Sequence, residues 1–212
     1  MTLVAYTKIK ADAKLDNFFE RVQNAFPHAE NCGYLDEIRQ RKSPLSTKES
    51  LSALLVLSEL LRKAGIDSSA LILSRRESGK PYFKNSRIEF SLSHSHGYAA
   101  AAISNESRVG IDLEAAEISP EKAAKLAERF FSEGEKSELE AHPDSFLKLW
   151  TKKEAYAKMQ GTPLSNLIAS EKKGIATERE NAFFVEFKAD KHPLTVCLEN
   201  PCEITGFEEI IF

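Results

Sequence analysis

A leucine-rich segment in the first third of the chain places the strongest constraint on the fold. Leucines recur at helical spacing from Leu51 to Leu61, and apolar residues at 55, 56 and 60 widen that stripe. Residues 46–49 (Ser-Thr-Lys-Glu) fit a capping box in front of the stripe, and Gly65 suits the end of a helix. A helix with so broad an apolar surface must be well buried, so other parts of the chain have to cover it.

Strand patterns and further helices flank this segment. Residues 2–8 predict a strand, and residues 15–26 predict an amphipathic helix. Ser119 and Pro120 favour a helix start, and another amphipathic helix covers residues 144–159 before Gly161. Further strands are predicted at residues 71–73, 88–93, 98–104, 109–113, 183–187, 194–198 and 204–211. This order of elements predicts an α+β fold.

Two stretches of the chain are faintly alike. Residues 80–104 and 181–199 each contain an aromatic-rich strand, a turn and a second strand of small or β-branched residues. We therefore expect two similar α+β halves, residues 1–107 and 108–212. Because the sequence has no low-complexity linker near residue 107, the halves should pack tightly against each other.

Charge is distributed unevenly between the two predicted halves. Residues 1–107 carry 15 Lys and Arg against 12 Asp and Glu, whereas residues 108–212 carry 14 against 20. A mildly basic half beside an acidic half suits a site that joins an anionic ligand to a cation. The overall net charge of −3 excludes a generally basic nucleic-acid binder.

Apolar content and cysteine usage indicate where such a protein works. No apolar run approaches the roughly 20 residues that span a bilayer, and residues 1–6 lack the basic start of a secretory signal. The three cysteines, Cys32, Cys197 and Cys202, form no CxxC pair. Reduced thiols in a cytoplasmic protein without a membrane partner are therefore expected.

Asp112 and Glu114 form the sharpest chemical feature. Side chains two residues apart on a strand project to the same face, so these carboxylates should converge. Like charges side by side repel each other unless a cation or a basic group lies between them. The residues alone leave two interpretations open, a metal site or a solvated strand end.

A third carboxylate follows on the predicted helix at residues 144–159. Trp150, Glu154 and Lys158 are spaced four residues apart, so they line one side of that helix. An exposed ion pair between Glu154 and Lys158 would explain the pair of charges. A Trp on the same side indicates instead an inward-facing surface, where charged groups need a partner such as a metal-bound phosphate. Oxygen ligands combined with substrate phosphates are typical of magnesium.

Three further groups are candidates with structural alternatives. His94 and Ser95 end a strand and could donate to a phosphate, while His94 and His96 have the spacing of a transition-metal pair if the strand continues past Gly97. Residues 132–135 fit a capping box that explains Glu135 without a catalytic role. The basic residues at 39, 41, 42 and 48 could form a solvated face.

Five short motifs between residues 79 and 158 occur in the order and at the separations of the Sfp-type 4′-phosphopantetheinyl transferases, and the chain resembles that family. They are residues 79–83 (GKPYF), 91–95 (SLSHS), 110–114 (GIDLE), 129–132 (RFFS) with Glu135, and 150–158 (WTKKEAYAK). Each motif alone is common, whereas the ordered set is specific.

The resemblance implies an intramolecular pseudo-dimer that acts as a monomer and binds coenzyme A between its halves. It implies transfer of 4′-phosphopantetheine to a serine of an apo acyl or peptidyl carrier protein, with release of adenosine 3′,5′-bisphosphate. The family's magnesium ligands are matched by Asp112, Glu114 and Glu154. The groups that hold the nucleotide and its phosphates are matched by Lys80, Ser93, His94, Lys158 and, more loosely, Arg41, Lys42 and Lys48.

In the implied mechanism, Lys158 neutralises or protonates the departing phosphate. Glu154 or Glu135, directly or through metal-bound water, accepts the serine proton, and the capping box favours Glu154. Two other functions are compatible with the residues: a hydrolase with a transition metal on His94, His96 and Asp112, and a carrier-binding module without turnover.

Overall fold

The computed structural model contains runs of helices and runs of strands, over the described residues 1–10, 14–29, 33–171 and 181–212. The strands are β1 (Thr2–Lys8), β2 (Leu73–Arg75), β3 (Pro81–Phe83), β4 (Glu89–Ser95), β5 (Tyr98–Ser104), β6 (Val109–Leu113), β7 (Phe183–Ala189), β8 (His192–Leu198) and β9 (Ile204–Glu209). The helices are α1 (Leu15–Ala25), α2 (Tyr34–Arg39), α3 (Pro44–Lys63), α4 (Pro120–Phe130), α5 (Glu133–Ala141), α6 (Phe146–Gln160) and α7 (Leu164–Glu171). This mixture confirms the α+β prediction.

Two main sheets carry the helices. The larger has the strand order β4-β5-β1-β9 and the smaller has the order β6-β8-β7, while β2 and β3 form a separate pair. Helix α3 packs on β1, β4 and β5, and α6 packs on β6 and β8. Strand β9, from the end of the chain, pairs in parallel with β1 and so completes the sheet of the N-terminal segment.

The leucine-rich helix α3 lies at the centre of the larger core. All its leucines from Leu51 to Leu61 are buried against α1, β4 and β5, as the width of the apolar stripe predicts. The predicted capping box at residues 46–49 is wrong. The helix begins one turn earlier because Pro44 occupies its first position and the Ser43 hydroxyl accepts from the Ser46 N–H. Glu49 is thereby freed for a different contact.

The other predicted helix ends are confirmed. Ser119 caps α4 and accepts from the Lys122 N–H, with Pro120 at the first helical position. The Ser132–Glu135 capping box is present at the start of α5. Gly161, with φ +69°, ends α6 in the left-handed conformation.

The two sheets meet along β4 and β6 through what we call the serine ladder. It consists of the hydroxyls of three alternate residues of β4, each accepting a backbone N–H from alternate residues of the β6 segment. The donor–acceptor pairs are Ile111 to Ser91, Leu113 to Ser93 and Ala115 to Ser95, each at 3.1 Å. Because β6 uses its other edge to pair with β8, the ladder satisfies N–H groups that this strand edge would otherwise leave without partners.

A polar cluster ties the β7–β8 turn to the larger sheet. The Tyr98 hydroxyl donates to Asp190 at 2.7 Å, the Tyr6 hydroxyl approaches the other oxygen at 3.4 Å, and Lys8 lies 3.5 Å away. Phe207 of β9 stacks on both Tyr6 and Phe187, with ring centroids 5.5 and 4.4 Å apart. The segments on either side of residue 107 are therefore joined by polar and aromatic contacts as well as by the serine ladder.

Two further observations concern the apolar length of the helices and the burial of the cysteines. Within the described residues, no helix is both long and apolar enough to cross a membrane. Cys197 is buried, and burial raises the pKa of its thiol to about 12, whereas Cys202 is half-buried. Cys32 lies outside the described residues.

Candidate active site

A cleft of about 520 Å³ opens between the two segments of the chain. Residues from before position 107 form one wall, including Tyr34, Ser78, Lys80 and His94. The opposite wall comes from β6 and α6 and includes Asp112, Glu114, Trp150, Glu154 and Lys158. The cleft thus brings together seven residues that the sequence marked individually: Lys80, Ser93, His94, Asp112, Glu114, Glu154 and Lys158.

Asp112 is the most buried carboxylate in this cleft. Its Oδ1 accepts from Lys158 Nζ at 2.7 Å and from the Ser93 hydroxyl at 3.0 Å. Burial raises the pKa of Asp112 above its ordinary value, although the Lys158 ammonium and the Ser93 hydroxyl favour the charged form. The neighbouring Glu114 charge acts in the same direction as burial.

Glu114 and Glu154 complete the acidic side. Glu114 accepts hydrogen bonds from the Ser95 hydroxyl and, at 2.9 Å, from the Ala116 N–H. Burial raises the pKa of Glu154, and the negative charges of Asp112 and Glu114 raise it further. The three carboxylates therefore influence one another across the cleft, as the spacing of residues 112 and 114 on a strand predicts.

The donor chemistry of the three carboxylates suits a hard divalent cation. Magnesium binds oxygen ligands, and a cation between neighbouring carboxylates would relieve the repulsion of their charges. Among the described residues, no group of three or more His, Cys, Asp or Glu side chains is gathered closely enough to hold a metal ion. The three carboxylates therefore match the cation in donor chemistry but are not drawn together as ligands in this structure, where Asp112 is paired with Lys158.

Helix α6 is amphipathic: its apolar face packs into the core, so its polar face is turned toward the cleft. Leu149, Ala155 and Met159 are buried on the core side. Trp150 packs edge-on against Phe130, with ring centroids 5.5 Å apart. Trp150, Glu154 and Lys158 all line the cleft, which confirms that the four-residue spacing marks one inward-facing side.

His94 is held by two residues of α3. Its Nδ1 lies 3.2 Å from Glu49 Oε2 and its Nε2 lies 3.1 Å from the Ser50 hydroxyl. Glu49 also accepts from the Gly97 N–H at 2.6 Å. Burial alone would raise the pKa of Glu49, but the bonds from His94 and Gly97 outweigh it and lower that pKa.

Lys80 is a largely buried amine on the other side of the cleft. Its Nζ donates to the Val109 carbonyl at 3.1 Å and lies 3.8 Å from Glu89. Burial lowers the pKa of Lys80 to about 8, against the smaller opposing influence of Glu89. An anion bound beside Lys80 would favour its charged form and oppose the effect of burial.

The basic residues near the start of α3 are more peripheral. Arg41 contacts the Ser50 hydroxyl and so borders the group that holds His94. Lys42 is exposed and Lys48 is half-buried, and neither lines the cleft. The structure therefore does not bring these two lysines to the other candidates.

Glu135 lies outside the cleft. Its Oε2 accepts the Ser132 N–H at 2.7 Å and an ammonium hydrogen of Lys153 at 2.7 Å. Both side chains are almost wholly buried, at 7% and 0% exposure. These contacts give Glu135 a structural role and leave Glu154 as the carboxylate that faces the site.

His96 lies beyond the end of the strand that carries His94. Strand β4 ends at Ser95, and His96 and Gly97 form the turn with φ values of +43° and +83°. The His96 ring contacts the Ser95 hydroxyl at 3.2 Å. The His-x-His pair required by the hydrolase interpretation is therefore not formed.

Sequence reasoning missed the residues that hold the candidates in place. In the sequence Glu49 fits a local capping box, and nothing next to the alternating serines at 91, 93 and 95 points to β6. That alternation was the available signal, because residues two apart on a strand share one face. Tyr34 and Ser78 also line the cleft, and no local pattern distinguished them.

Comparison with known proteins decides the family. A sequence model of the 4′-phosphopantetheinyl transferase superfamily matches residues 108–202. The phosphopantetheinyl transferase AcpT of Salmonella typhi is 33% identical over 137 residues, which cover 61% of this chain and 68% of the relative. The chain belongs to the 4′-phosphopantetheinyl transferase superfamily. This confirms the resemblance carried by its motifs, and the chain is an enzyme of the transferase class.

Two other transferases of this name show the extent of the similarity. The protein from Bacillus subtilis is 29% identical over 194 residues, covering 81% of this chain and 85% of its own length. The gsp protein of Aneurinibacillus migulanus is 39% identical over 116 residues, and the chain spans about half of it, 47%. The similarity thus extends over both walls of the cleft in one relative and is strongest over a shorter segment in another.

Proposed function

We propose that this phosphopantetheinyl transferase moves the 4′-phosphopantetheine group of coenzyme A to a serine of an apo acyl or peptidyl carrier protein and releases adenosine 3′,5′-bisphosphate, with magnesium. The observation that carries the proposal is the cleft itself. Lys80 and Lys158 supply positive charge and donors for phosphates, His94 lines the cleft beside them, and three carboxylates face them. Membership of the family supports 4′-phosphopantetheine as the group that is transferred.

The acidic residues would hold the cation. Asp112, Glu114 and Glu154 are the candidate ligands, and magnesium bound there would neutralise charge on the pyrophosphate. Lys158 already contacts Asp112, so its ammonium is within reach of any phosphate that binds beside this carboxylate. Positioning and charge neutralisation are the main contributions that phosphoryl transfer requires of a protein.

The proton of the attacking serine needs an acceptor. The serine oxygen forms a bond to the β-phosphorus of coenzyme A, while the bond from that phosphorus to the bridging oxygen breaks and its electrons leave with adenosine 3′,5′-bisphosphate. Glu154 is suited to accept the serine proton because burial and Asp112 raise its pKa. Glu135 is not suited, since it is buried away from the cleft and paired with Lys153.

The finer fold is also a proposal. We infer an intramolecular pseudo-dimer in which residues 1–107 and 108–212 are related halves, with nucleotide contacts mainly from the first and carboxylates from the second. In its support, each half places a first strand, a helix and a hairpin in the same order, since β5 lies between β1 and β4 as β8 lies between β6 and β7. Strand β9 is an addition that the second half contributes to the first sheet.

The mildly basic first half suits both a nucleotide and an acidic carrier domain as partners. In this proposal the protein acts as a cytoplasmic monomer.

The decisive experiment is incubation of the purified protein with several apo carrier proteins, coenzyme A and magnesium, followed by intact mass measurement of each carrier. We expect a phosphopantetheine adduct on at least one carrier. Glu154→Gln should abolish the adduct, whereas Glu140→Gln on the exposed surface of α5 should leave it unchanged. Binding of a carrier without any gain of mass would support the module without turnover and contradict the proposal.

A further inference from the structure

The serine ladder does more than join two strands. Two of its three hydroxyls also contact the carboxylates of β6: Ser93 donates to Asp112 at 3.0 Å and Ser95 donates to Glu114. No carboxylate contact is recorded for Ser91 within the described residues, although it accepts a backbone N–H at the same 3.1 Å distance. Ser93 and Ser95 therefore each contact a backbone N–H and a carboxylate, whereas Ser91 contributes its contact with a backbone N–H.

The hydroxyl of Ser93 has no bonding capacity left. A serine hydroxyl offers one hydrogen and two lone pairs. Ser93 gives its hydrogen to Asp112 and accepts from the Leu113 N–H at 3.1 Å and from Lys158 Nζ at 3.0 Å. A direct donation from Ser93 to a coenzyme A phosphate would require one of these bonds to break.

Ser95 is committed in the same way. Its hydrogen goes to Glu114, and its lone pairs accept from the Ala115 N–H at 3.1 Å and lie 3.2 Å from His96 Nδ1. Each of the two serines thus fixes a backbone N–H of the β6 segment and the carboxylate that precedes it by one residue. The orientation of each carboxylate is tied to the separation between β4 and β6.

We propose that Ser93 and Ser95 are positioning residues for the cation-binding carboxylates, and that Ser93 serves this purpose rather than binding the nucleotide. Their hydroxyls orient Asp112 and Glu114 toward the cleft before a divalent cation binds. This inference rests on the proposed function, because it assumes that these carboxylates hold a cation. Groups that bond to metal ligands in this way change metal affinity by about 10- to 100-fold when they are removed.

The test compares three alanine variants of one ladder. Ser93→Ala and Ser95→Ala remove a backbone bond and a carboxylate bond, and Ser93→Ala also removes the bond from Lys158, whereas Ser91→Ala removes the backbone bond alone. Ser91 and Ser93 are equally buried, each at 4% exposure, so Ser91→Ala measures what the loss of a buried ladder hydroxyl and its backbone bond does to the cation-free protein. Ser91→Ala is therefore the matched control for a purely structural role.

The measurement is the dissociation constant of Mn²⁺, obtained by electron paramagnetic resonance in the presence of saturating coenzyme A. We expect Ser93→Ala and Ser95→Ala to weaken Mn²⁺ binding by about 10- to 100-fold and Ser91→Ala by less than about twofold. Ser95→Thr keeps the hydroxyl at a half-buried position and should retain the native affinity. The Ser95 pair of variants still decides the matter if Ser93→Ala does not fold.

Two different failures are distinguishable. If the native protein binds Mn²⁺ with coenzyme A but all three alanine variants bind it equally, the positioning role is overturned and the proposed function stands. If the native protein binds no Mn²⁺ in the presence of coenzyme A, both the proposed function and this inference are overturned.

Discussion

Lys80 is a lysine whose burial disfavours the charged form of its amine. Burial lowers the pKa of its ammonium from 10.5 to about 8, although the Val109 carbonyl accepts a hydrogen bond from it. Such an amine is stabilised by an anion that shares its cleft. The same shift makes the stability of the protein depend on pH between about 8 and 10.5.

Replacement of Lys80 should change that dependence. Between about pH 8 and 10.5 the unfolded state binds the Lys80 proton and the folded state does not, so this residue makes the free energy of unfolding rise with pH across the window. The native protein should gain roughly 3 kcal/mol relative to Lys80→Met from the bottom to the top of the window. Urea denaturation of both proteins at four pH values measures this, and parallel pH profiles would contradict it.

Asp112 should show a conflict between activity and stability. Its pKa is raised chiefly by burial, so the ionised form at neutral pH costs stability that a neutral isostere avoids. We expect Asp112→Asn to abolish transfer while raising the free energy of unfolding by about 0.5–2 kcal/mol at pH 7.5. The pKa of Asp112 is higher in the native protein than the unfolded value of 3.8. The stability advantage of Asp112→Asn should therefore shrink as the pH falls through the native pKa, and it should vanish once Asp112 is protonated in both states. A loss of stability at pH 7.5 would show instead that the bond to Lys158 dominates.

The sequence identified the residues that carry charge into the cleft better than those that hold them. Asp112, Glu114, Glu154 and Lys158 follow from strand and helix spacing, because each pattern is local. Glu49 could not be identified, since its contact with His94 joins residues 45 positions apart and a plausible local role was available. Side chains that act across such separations leave no periodic signal.

At the scale of elements, the approach of α6 to β6 depends on Gly110. A Cβ atom at this position would lie 1.9 Å from the Ala155 carbonyl oxygen and 2.4 Å from the Met159 nitrogen. Both are backbone atoms of a buried helix, so neither can move without displacing Glu154 and Lys158. The strand that carries two carboxylates and the helix that carries the third are thus held at minimum separation.

Gly110→Ala should therefore be severely destabilising. Overpacking of a core commonly costs about 1–3 kcal/mol, and a clash between backbone atoms places this variant at or above that range. Gly134→Ala is the control, because a Cβ there meets nothing within 4 Å and an exposed helical position should gain about 0.5–1 kcal/mol. Chemical denaturation of both variants decides the point. A Gly110→Ala protein of native stability would mean that α6 is free to move away from β6.

The Glu135–Lys153 pair joins α6 to the start of α5. Removal of one member should leave a buried charge without its partner, so Lys153→Met is expected to cost about 3–5 kcal/mol. A second substitution, Glu135→Gln, keeps an acceptor for the Ser132 N–H and removes the uncompensated charge. The double variant should regain most of the lost stability in thermal denaturation. Equal stabilities of the single and double variants would contradict this account.

At the scale of the whole molecule, the chain should unfold as one unit. The two segments share the serine ladder, the Asp190 cluster and the parallel pairing of β9 with β1. Local patterns predicted most strands and helices of each segment, including β1, β5 and β6. They could not predict that β9 joins the sheet of the first segment, because pairing between strands 200 residues apart has no local signature.

The single tryptophan allows this cooperativity to be tested. Trp150 lies on α6, whereas Leu54 is fully buried on α3 in the other segment. Leu54→Ala should cost about 2–5 kcal/mol and shift the midpoint measured by Trp150 fluorescence by the same amount as the midpoint measured by circular dichroism. If the fluorescence transition stayed at its native midpoint while the circular dichroism transition moved, the two segments would be independent folding units.

The position of β9 has a consequence for how the protein is made. On the ribosome, β1 emerges well before its parallel partner β9, which lies about 200 residues further along the chain. Until then β1 presents an open strand edge to the cell, the kind of edge that pairs readily with other chains. The nascent segment can therefore collapse early around α3, but this edge of its sheet stays open until β9 has been made.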